Sequence, residues 1–330
     1  MSALLEVENL RVRFRAMSPL RAMATGVKDP FIEAVCGVSF RIGAGETLGL
    51  VGESGSGKST IARTVMGLLQ PAEGSIRFDG QDLVGLGRGE FNRVRRNMSM
   101  MFQDPVGSLS PRLTIRSLIV EPFKIHGLSD RELDAEAKRL LEMVGLSVDF
   151  AGRFPHQLSG GQARRVGVAR ALALDPKLII ADEPTAGLDV SVQGEVLNLL
   201  ARLQNDLGLS ILIITHNLNV VRHITDRMAI MYLGQFVEHG PTEEIFYHPR
   251  HPYTQALLSA NPEPDPDAVS SRVEISGEVP SLMNRPAGCE FHTRCPYVQD
   301  LCRSEPPALA SDSDGRAYTC HFPLQHDRAA

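Results

Sequence analysis

The chain has 330 residues, 43% of them hydrophobic and 22% charged, the balance of a soluble globular protein rather than a disordered one. A formal net charge of −5 argues against a general nucleic-acid binder, and no apolar run approaches the ~18 residues that a membrane span needs. The opening Met1-Ser2-Ala3-Leu4-Leu5-Glu6 lacks the basic and apolar regions of a secretion signal, so the chain is expected to stay in the cytosol.

Residues 5–14 place Leu5, Val7, Leu10, Val12 and Phe14 in near alternation, which predicts a strand, and residues 16–30 read as an inserted loop. Residues 35–42 predict a second strand and residues 47–51 a short buried third. Gly52-Glu53-Ser54-Gly55-Ser56-Gly57-Lys58-Ser59 follows, with Thr60 opening an expected helix to Leu69. This is a G-x-x-x-x-G-K-S phosphate loop in its strand–loop–helix setting. Its glycines let backbone N–H groups wrap round phosphate oxygens, and the helix N-terminus favours their charge. Lys58 is placed for the β- and γ-phosphates and Ser59 for Mg²⁺. A plain glycine turn before a helix would need neither side chain.

Residues 74–80 read as a short strand between turns. From 88 to 174 the pattern is helical. Ser129 and Glu132 have the spacing of a capping box, with Leu133, Leu140, Leu141 and Val144 as the apolar stripe behind it. Leu158-Ser159-Gly160-Gly161-Gln162 then opens another helix, with Ser159 as N-cap and two glycines leaving the start open to a ligand. The run Leu178-Ile179-Ile180-Ala181 ends in Asp182-Glu183; two carboxylates at the end of a buried strand are costly without a task. Residues 211–214 are a further apolar run, ended by Thr215 and His216, and residues 228–238 read as a hairpin. Alternating strands and helices indicate an α/β fold with a mainly parallel sheet.

Together these motifs resemble those of the ABC-type ATPases. The resemblance implies a P-loop NTPase core with an inserted helical subdomain at 88–174, ATP and Mg²⁺ as ligands, and a dimer in which the LSGGQ signature of one subunit closes on ATP held by the other. It assigns Asp182 to Mg²⁺ together with Ser59 and Gln103, Glu183 to polarising the attacking water, His216 to the γ-phosphate, Gln103 to the sensing loop and Asp189 to the D-loop. It places an adenine-stacking ring at Phe14 or Phe31, Phe14 being favoured. Ala186 and the stretch Ala163-Arg164-Arg165 depart from the commoner family residues.

Beyond Gly240 proline becomes frequent, and His251-Pro252-Tyr253-Thr254-Gln255-Ala256-Leu257-Leu258 resembles the C-terminal signature of oligopeptide and dipeptide importer ATPases. This implies an ATPase domain at 1–250 and an extension at 251–330. It implies uptake of di- or oligopeptides, or of related small solutes, across the inner membrane from its cytoplasmic face. The implied partners are two membrane permease subunits, a second cassette (a copy or a paralogue) and, indirectly, an external solute-binding protein, with no nucleic acid. The alternative is a soluble ABC ATPase of repair or translation type. Four of five cysteines, Cys289, Cys295, Cys302 and Cys320, lie in the tail. A cytosolic chain has little use for them as disulfides, and a proline-rich module with little core suits a metal staple over 289–320. Four thiolates suit a [4Fe–4S] cluster, which some ATPases of this branch carry at a similar pattern. Zinc is the alternative, with His292 or His321 replacing one cysteine, and four free thiols the third possibility. Cys36 is expected to be an isolated, buried apolar residue.

Overall fold

A computed structural model describes residues 3–18, 23, 30–104, 107–128, 132–260 and 273–325. The chain forms two compact units, one built from Met1–Leu4, Ile42–Thr47 and Gly85–Ile214, the other from Leu5–Arg41, Leu48–Val84 and Thr215–Ala330.

The first unit is built on three parallel strands: β6 (Met98–Met101), β7 (Leu178–Asp182) and β8 (Ser210–Thr215). β7 and β8 are short, wholly buried and rich in Ile and Leu, as a strand covered on both faces requires. Helices α2 (Arg88–Arg95), α3 (Ile115–Ile125), α4 (Leu133–Met143), α5 (Gly160–Leu172) and α6 (Val190–Leu207) surround them. Thr114 caps α3, and its buried face of Ile115, Leu118, Ile119, Val120 and Phe123 packs on α4 and α5. The first unit departs from expectation twice. β6 lies inside the block read as helical, because Met98-Ser99-Met100-Met101 has neither alternation nor β-branched residues to announce a strand. Ser129 lies outside the described residues, and Glu132 stands at the cap of α4 with no side-chain cap bond, not three residues inside as the capping box required. The stripe of α4 holds at Leu140, Leu141 and Val144, joined by Ala137.

The second unit carries a sheet of order β2-β1-β4-β5, from β1 (Ala3–Arg15), β2 (Phe31–Gly43), β4 (Glu73–Phe78) and β5 (Gln81–Asp82). Asp79 and Gly80, both at positive φ, make the tight turn between β4 and β5. A second group of strands pairs β3 (Thr47–Val51) parallel to β9 (Arg227–Tyr232), then β9 antiparallel to β10 (Gln235–Pro241). The tail extends this group: β12 (Ala317–Tyr318) pairs with β10 through Glu238↔Tyr318 and His239↔Ala317, and β11 (Ala310–Ser311) follows. The sheets are therefore mixed, parallel where helices intervene and antiparallel at the hairpin and tail. Helices α1 (Lys58–Val65), α7 (Leu218–Ile224), α8 (Thr242–Tyr247), α9 (Pro252–Ser259) and α10 (Asp300–Ser304) complete the unit.

The tail is seated by aromatic packing. Tyr232 lies 4.8 Å from Tyr253 and 5.4 Å from Phe291, and Tyr253 lies 5.3 Å from Phe291. All three are buried in one cluster with Val51, the last residue of β3. Each such ring pair adds roughly 0.5–1.5 kcal/mol beyond area burial.

His251 explains the His-Pro-Tyr segment physically. It is the N-cap of α9, its Nδ1 accepting from the Tyr253 N–H at 3.0 Å, and Pro252 occupies the first helical position. Its own N–H donates to Glu238 at 2.9 Å, as does that of Arg250 at 2.7 Å. Burial holds the imidazole neutral, with its pKa lowered from 6.5 to about 3. The folded state thus binds fewer protons than the unfolded state between those values. The contribution of His251 to stability is therefore full above about pH 6.5 and is lost progressively as pH drops towards 3. Glu238, whose pKa burial raises, works in the opposite direction. His251→Asn keeps a capping oxygen that does not titrate. Its loss of stability between pH 7 and pH 5 is expected to be smaller than wild type by about 2 kcal/mol in denaturant melts; equal losses in the two proteins would refute the account.

Candidate functional site

The phosphate loop joins β3 to α1. Gly57 stands at the helix cap with φ 108° and supplies no side-chain cap, so the first-turn N–H groups face the loop. A Cβ at Gly52 would collide with the Met231 carbonyl, and one at Gly57 with the Ala34 carbonyl. Lys58 is buried; its Nζ donates to the Gly52 carbonyl at 2.7 Å, the Glu53 carbonyl at 2.8 Å and Ser56 Oγ at 3.3 Å. No acidic residue stands in the first turn of α1. A buried ammonium at the positive end of a helix is a receptor for a polyanion.

The loop's acidic residue has its own arrangement. Arg294 Nη1 and Nη2 donate to the two Glu53 carboxylate oxygens at 2.7 and 3.0 Å. The Glu53 N–H donates to Tyr253 Oη at 3.0 Å. The Arg294 guanidinium lies 5.9 Å from the Tyr232 ring centroid. None of these contacts is visible in the motif itself.

At the end of β7, Asp182 is buried and Glu183 half-buried. Glu183 adopts φ 51°, a left-handed conformation that costs about 1–3 kcal/mol in a non-glycine residue and is concentrated at functional sites. Its N–H donates to the Ile214 carbonyl of β8 at 2.8 Å, which fixes the turn.

Ser159 caps α5 as read from the sequence: Gln162 N–H donates to Ser159 Oγ at 3.3 Å, and Ser159 N–H donates to Gln162 Oε1 at 3.0 Å. The signature glutamine is thus half of a capping box. Gly161 has a packing role besides openness, since a Cβ there would lie 2.6 Å from Val192 Cγ1 of α6. Leu158 and Gly160 flank this turn, and Asp189 caps α6 by accepting from the Val192 N–H at 3.0 Å.

In the sequence Arg164 stands out only as part of a departure from the commoner family residues. It is buried, its Nη1 donating to the Gln103 carbonyl at 3.2 Å and its Nη2 to the Ala186 carbonyl at 3.0 Å. Burial holds its pKa below the usual arginine value. It ties the segment of Gln103 to the turn before Asp189. α5 is buried on nearly every side, so hydrophobic periodicity gave no sign that this arginine points inward.

The predicted residues divide between the two units. Gln103, Leu158–Gln162, Asp182, Glu183 and Asp189 belong to the first, and Gly52–Thr60 and His216 to the second. Gln103 and His216 are exposed. Phe14 and Phe31 are both exposed, with Arg15 lying 5.5 Å over the Phe31 ring.

In the tail, burial pushes the thiols of Cys295 and Cys320 up to about 11 and about 12, and that of Cys289 in the same direction. Cys289, Cys295 and Cys302 push the Cys320 thiol further in the same direction. Nearby backbone N–H groups, those of Phe291 and His292 for Cys289, Tyr297 for Cys295 and Phe322 for Cys320, oppose this rise without cancelling it. Yet no group of three or more His, Cys, Asp and Glu among the described residues is arranged to hold a metal ion. The four cysteines from which a metal module was expected thus show no formed ligand set among the described residues. Cys36, expected to be isolated, is half-buried with Arg285 Nη2 2.9 Å from its sulfur.

Among the described residues no helix is long and apolar enough to cross a membrane. Residues 35–186 match the ABC transporter family, and residues 237–302 match the family described as Oligopeptide/dipeptide transporter, C-terminal region. A probable peptide ABC transporter ATP-binding protein of Sinorhizobium fredii, y4tS, is 49% identical over 320 residues, 97% of this chain and 90% of that protein. The oligopeptide transport ATP-binding protein AppF of Bacillus subtilis is 46% identical over 323 residues, 97% of each. The dimeric ATP-binding cassette MJ0796, solved in a post-hydrolysis state bound to ADP and Pi, superimposes with a TM-score of 0.63 at 30% identity, covering 72% of this chain and 98% of that one. The phosphate loop, the α/β cassette fold and the near full-length similarity thus agree: the chain belongs to the ABC ATPases, in the family of oligopeptide transport ATP-binding proteins.

Proposed function

We propose that this chain is the ATP-hydrolysing subunit of an ABC importer for di- or oligopeptides, bound at the cytoplasmic face of the inner membrane. The observation that carries the reading is the similarity of the tail as well as the cassette, since 237–302 matches the oligopeptide/dipeptide transporter C-terminal region. A repair or translation role leaves that tail unexplained and is not favoured. In this reading residues 1–250 form the ATPase domain, with a helical subdomain inside 88–174, a block that β6 interrupts, and 251–330 the extension.

Gly52–Thr60 bind the triphosphate and Lys58 neutralises it. Ser59, Gln103 and Asp182 offer hard oxygen donors of the kind Mg²⁺ takes; when bound, the ion draws charge from the phosphate oxygens. Glu183 accepts a proton from the attacking water and His216 orients it. Leu158–Gln162 close on the ATP of a second cassette, a copy or a paralogue, and Asp189 lies beside that contact. The dimeric state of the MJ0796 cassette supports such a pairing. Two permease subunits dock near residues 103–118. Support for this surface comes from exposed Phe102 and from the cleft beside it, lined by Met101, Leu109, Pro122, Arg164 and Arg170. Through its bonds to the Gln103 and Ala186 carbonyls, Arg164 would carry movement of that surface to the D-loop.

For the tail we propose that Cys289, Cys295, Cys302 and Cys320 hold a [4Fe–4S] cluster, zinc being the alternative. Support comes from the gathering of four cysteines in one tail and from backbone N–H groups near three of the sulfurs, which favour the charged sulfur that a metal takes, whereas without a metal, burial and the neighbouring sulfurs outweigh them. One preparation tests both parts. A tagged chain drawn from detergent-solubilised membranes under anaerobic conditions should bring two multi-span permeases, and should contain about four iron and four sulfide per chain, or one zinc. Recovery only from the soluble fraction with nucleic acid or ribosomes would overturn the importer reading. Absence of iron, sulfide and zinc would overturn the metal.

A further inference from the structure

Glu53 is out of place by charge. It stands second in a loop shaped to receive a polyanion, and its carbonyl is one of the two that hold the Lys58 ammonium. An unpaired carboxylate there would repel the phosphates across a short, partly desolvated distance. The tail answers this. Arg294, on the turn between Cys289 and Cys295, is 8% exposed in its side chain and covers both carboxylate oxygens in a two-pronged pair. The same turn is anchored by Phe291 in the aromatic cluster below, and Arg294 N–H donates to the Phe291 carbonyl at 3.0 Å. Tyr253, from the His-Pro-Tyr helix, accepts from the Glu53 N–H at 3.0 Å. Two separate parts of the extension therefore converge on one residue of the phosphate loop, one on its charge and one on its backbone.

We propose that Arg294 is a positioning residue for the nucleotide site, neutralising Glu53 so that the phosphate loop accepts ATP, and that Tyr253 holds the same residue in register. The C-terminal extension is thereby part of the apparatus that sets ATP affinity. The inference rests on the assignment of residues 52–60 to ATP, and it does not depend on any metal at the cysteines. Its signature is electrostatic. Loss of Arg294 should weaken ATP, and loss of the Glu53 charge in the same chain should restore it.

Equilibrium binding of ATP in EDTA, where turnover stops, reads this directly on the full chain. Arg294→Met should raise the ATP Kd about tenfold, the effect of one uncompensated charge near a polyanion, and the increase should shrink as salt is raised. The double variant Glu53→Gln with Arg294→Met should return to within about threefold of wild type. A merely structural role for the pair predicts a lowered melting temperature with unchanged Kd in Arg294→Met, or a double variant as weak as the single one; either result overturns the proposal. If Arg294→Met does not fold, Glu53→Gln alone decides, because it leaves Arg294 as an unopposed cation: tighter ATP binding supports the proposal and weaker binding overturns it. A wild-type chain that binds no ATP would overturn the nucleotide site itself and this inference with it.

Discussion

Glu183→Gln is expected to lower ATP turnover by about 10²–10⁴-fold while leaving ATP binding near wild type. On the proposed role of Glu183, the size follows from removing a base and nothing else. Glutamine has the same shape and can occupy the same left-handed backbone at φ 51°, and the N–H bond to the Ile214 carbonyl is a main-chain bond that the substitution does not touch. The turn after β7 should therefore stay folded. The amide oxygen can still hold a water, but it cannot take the proton that water must lose. Nucleotide should then persist in a closed dimer, observable as ATP retained by the purified complex and as a dimer on sizing columns. Turnover at the wild-type rate in the assembled complex would refute the role given to Glu183. The strained φ adds an independent reason to look here, since a glycine or asparagine would meet that conformation at lower cost.

The parts of this molecule that could be read directly are those whose signal is local. β7 and β8 are apolar runs of strand length, the phosphate loop is a contiguous motif, and Ser159 with Gln162 forms its capping box within four residues. What escaped was non-local or unpatterned. β6 is four residues of Met and Ser that become a strand only because β7 lies alongside, with Met98 paired to Leu178 and Met101 to Ala181. Arg164 lies on a helix without a polar face, so only the carbonyls of Gln103 and Ala186 reveal its task. Arg294 is 241 residues from Glu53, and nothing in either segment names the other. His251 was legible as part of a resemblance, but its work as a buried neutral cap was not. The cysteines show the reverse case: their number in a short, proline-rich tail and a resemblance suggested a ligand set, and no such set is formed among the described residues.

Lys58→Ala should abolish both ATP binding and turnover, and the comparison with Glu183→Gln separates the two steps. Lys58 is 6% exposed, sits at the N-terminus of α1, and has no acidic neighbour in the first turn. Its charge and the helix dipole have the same sign there. Such an arrangement weakens the protein until an anion arrives, so its energy is recovered only in the bound state. Removing the ammonium takes from the loop the donor that the Gly52 and Glu53 carbonyls hold at 2.7 and 2.8 Å, but it also relieves that repulsion. The two changes oppose each other, and the melting temperature without nucleotide should move little. The response to ATP should change completely. A wild-type chain in ATP at about 100 times its Kd gains roughly 2.7 kcal/mol of stability, whereas the variant should show no ATP-dependent shift at the same concentration. Turnover should fall by at least about 10²-fold, the loss typical of removing one oriented donor from a site of developing charge. An ATP-induced thermal shift equal to wild type would show that Lys58 does not hold the triphosphate.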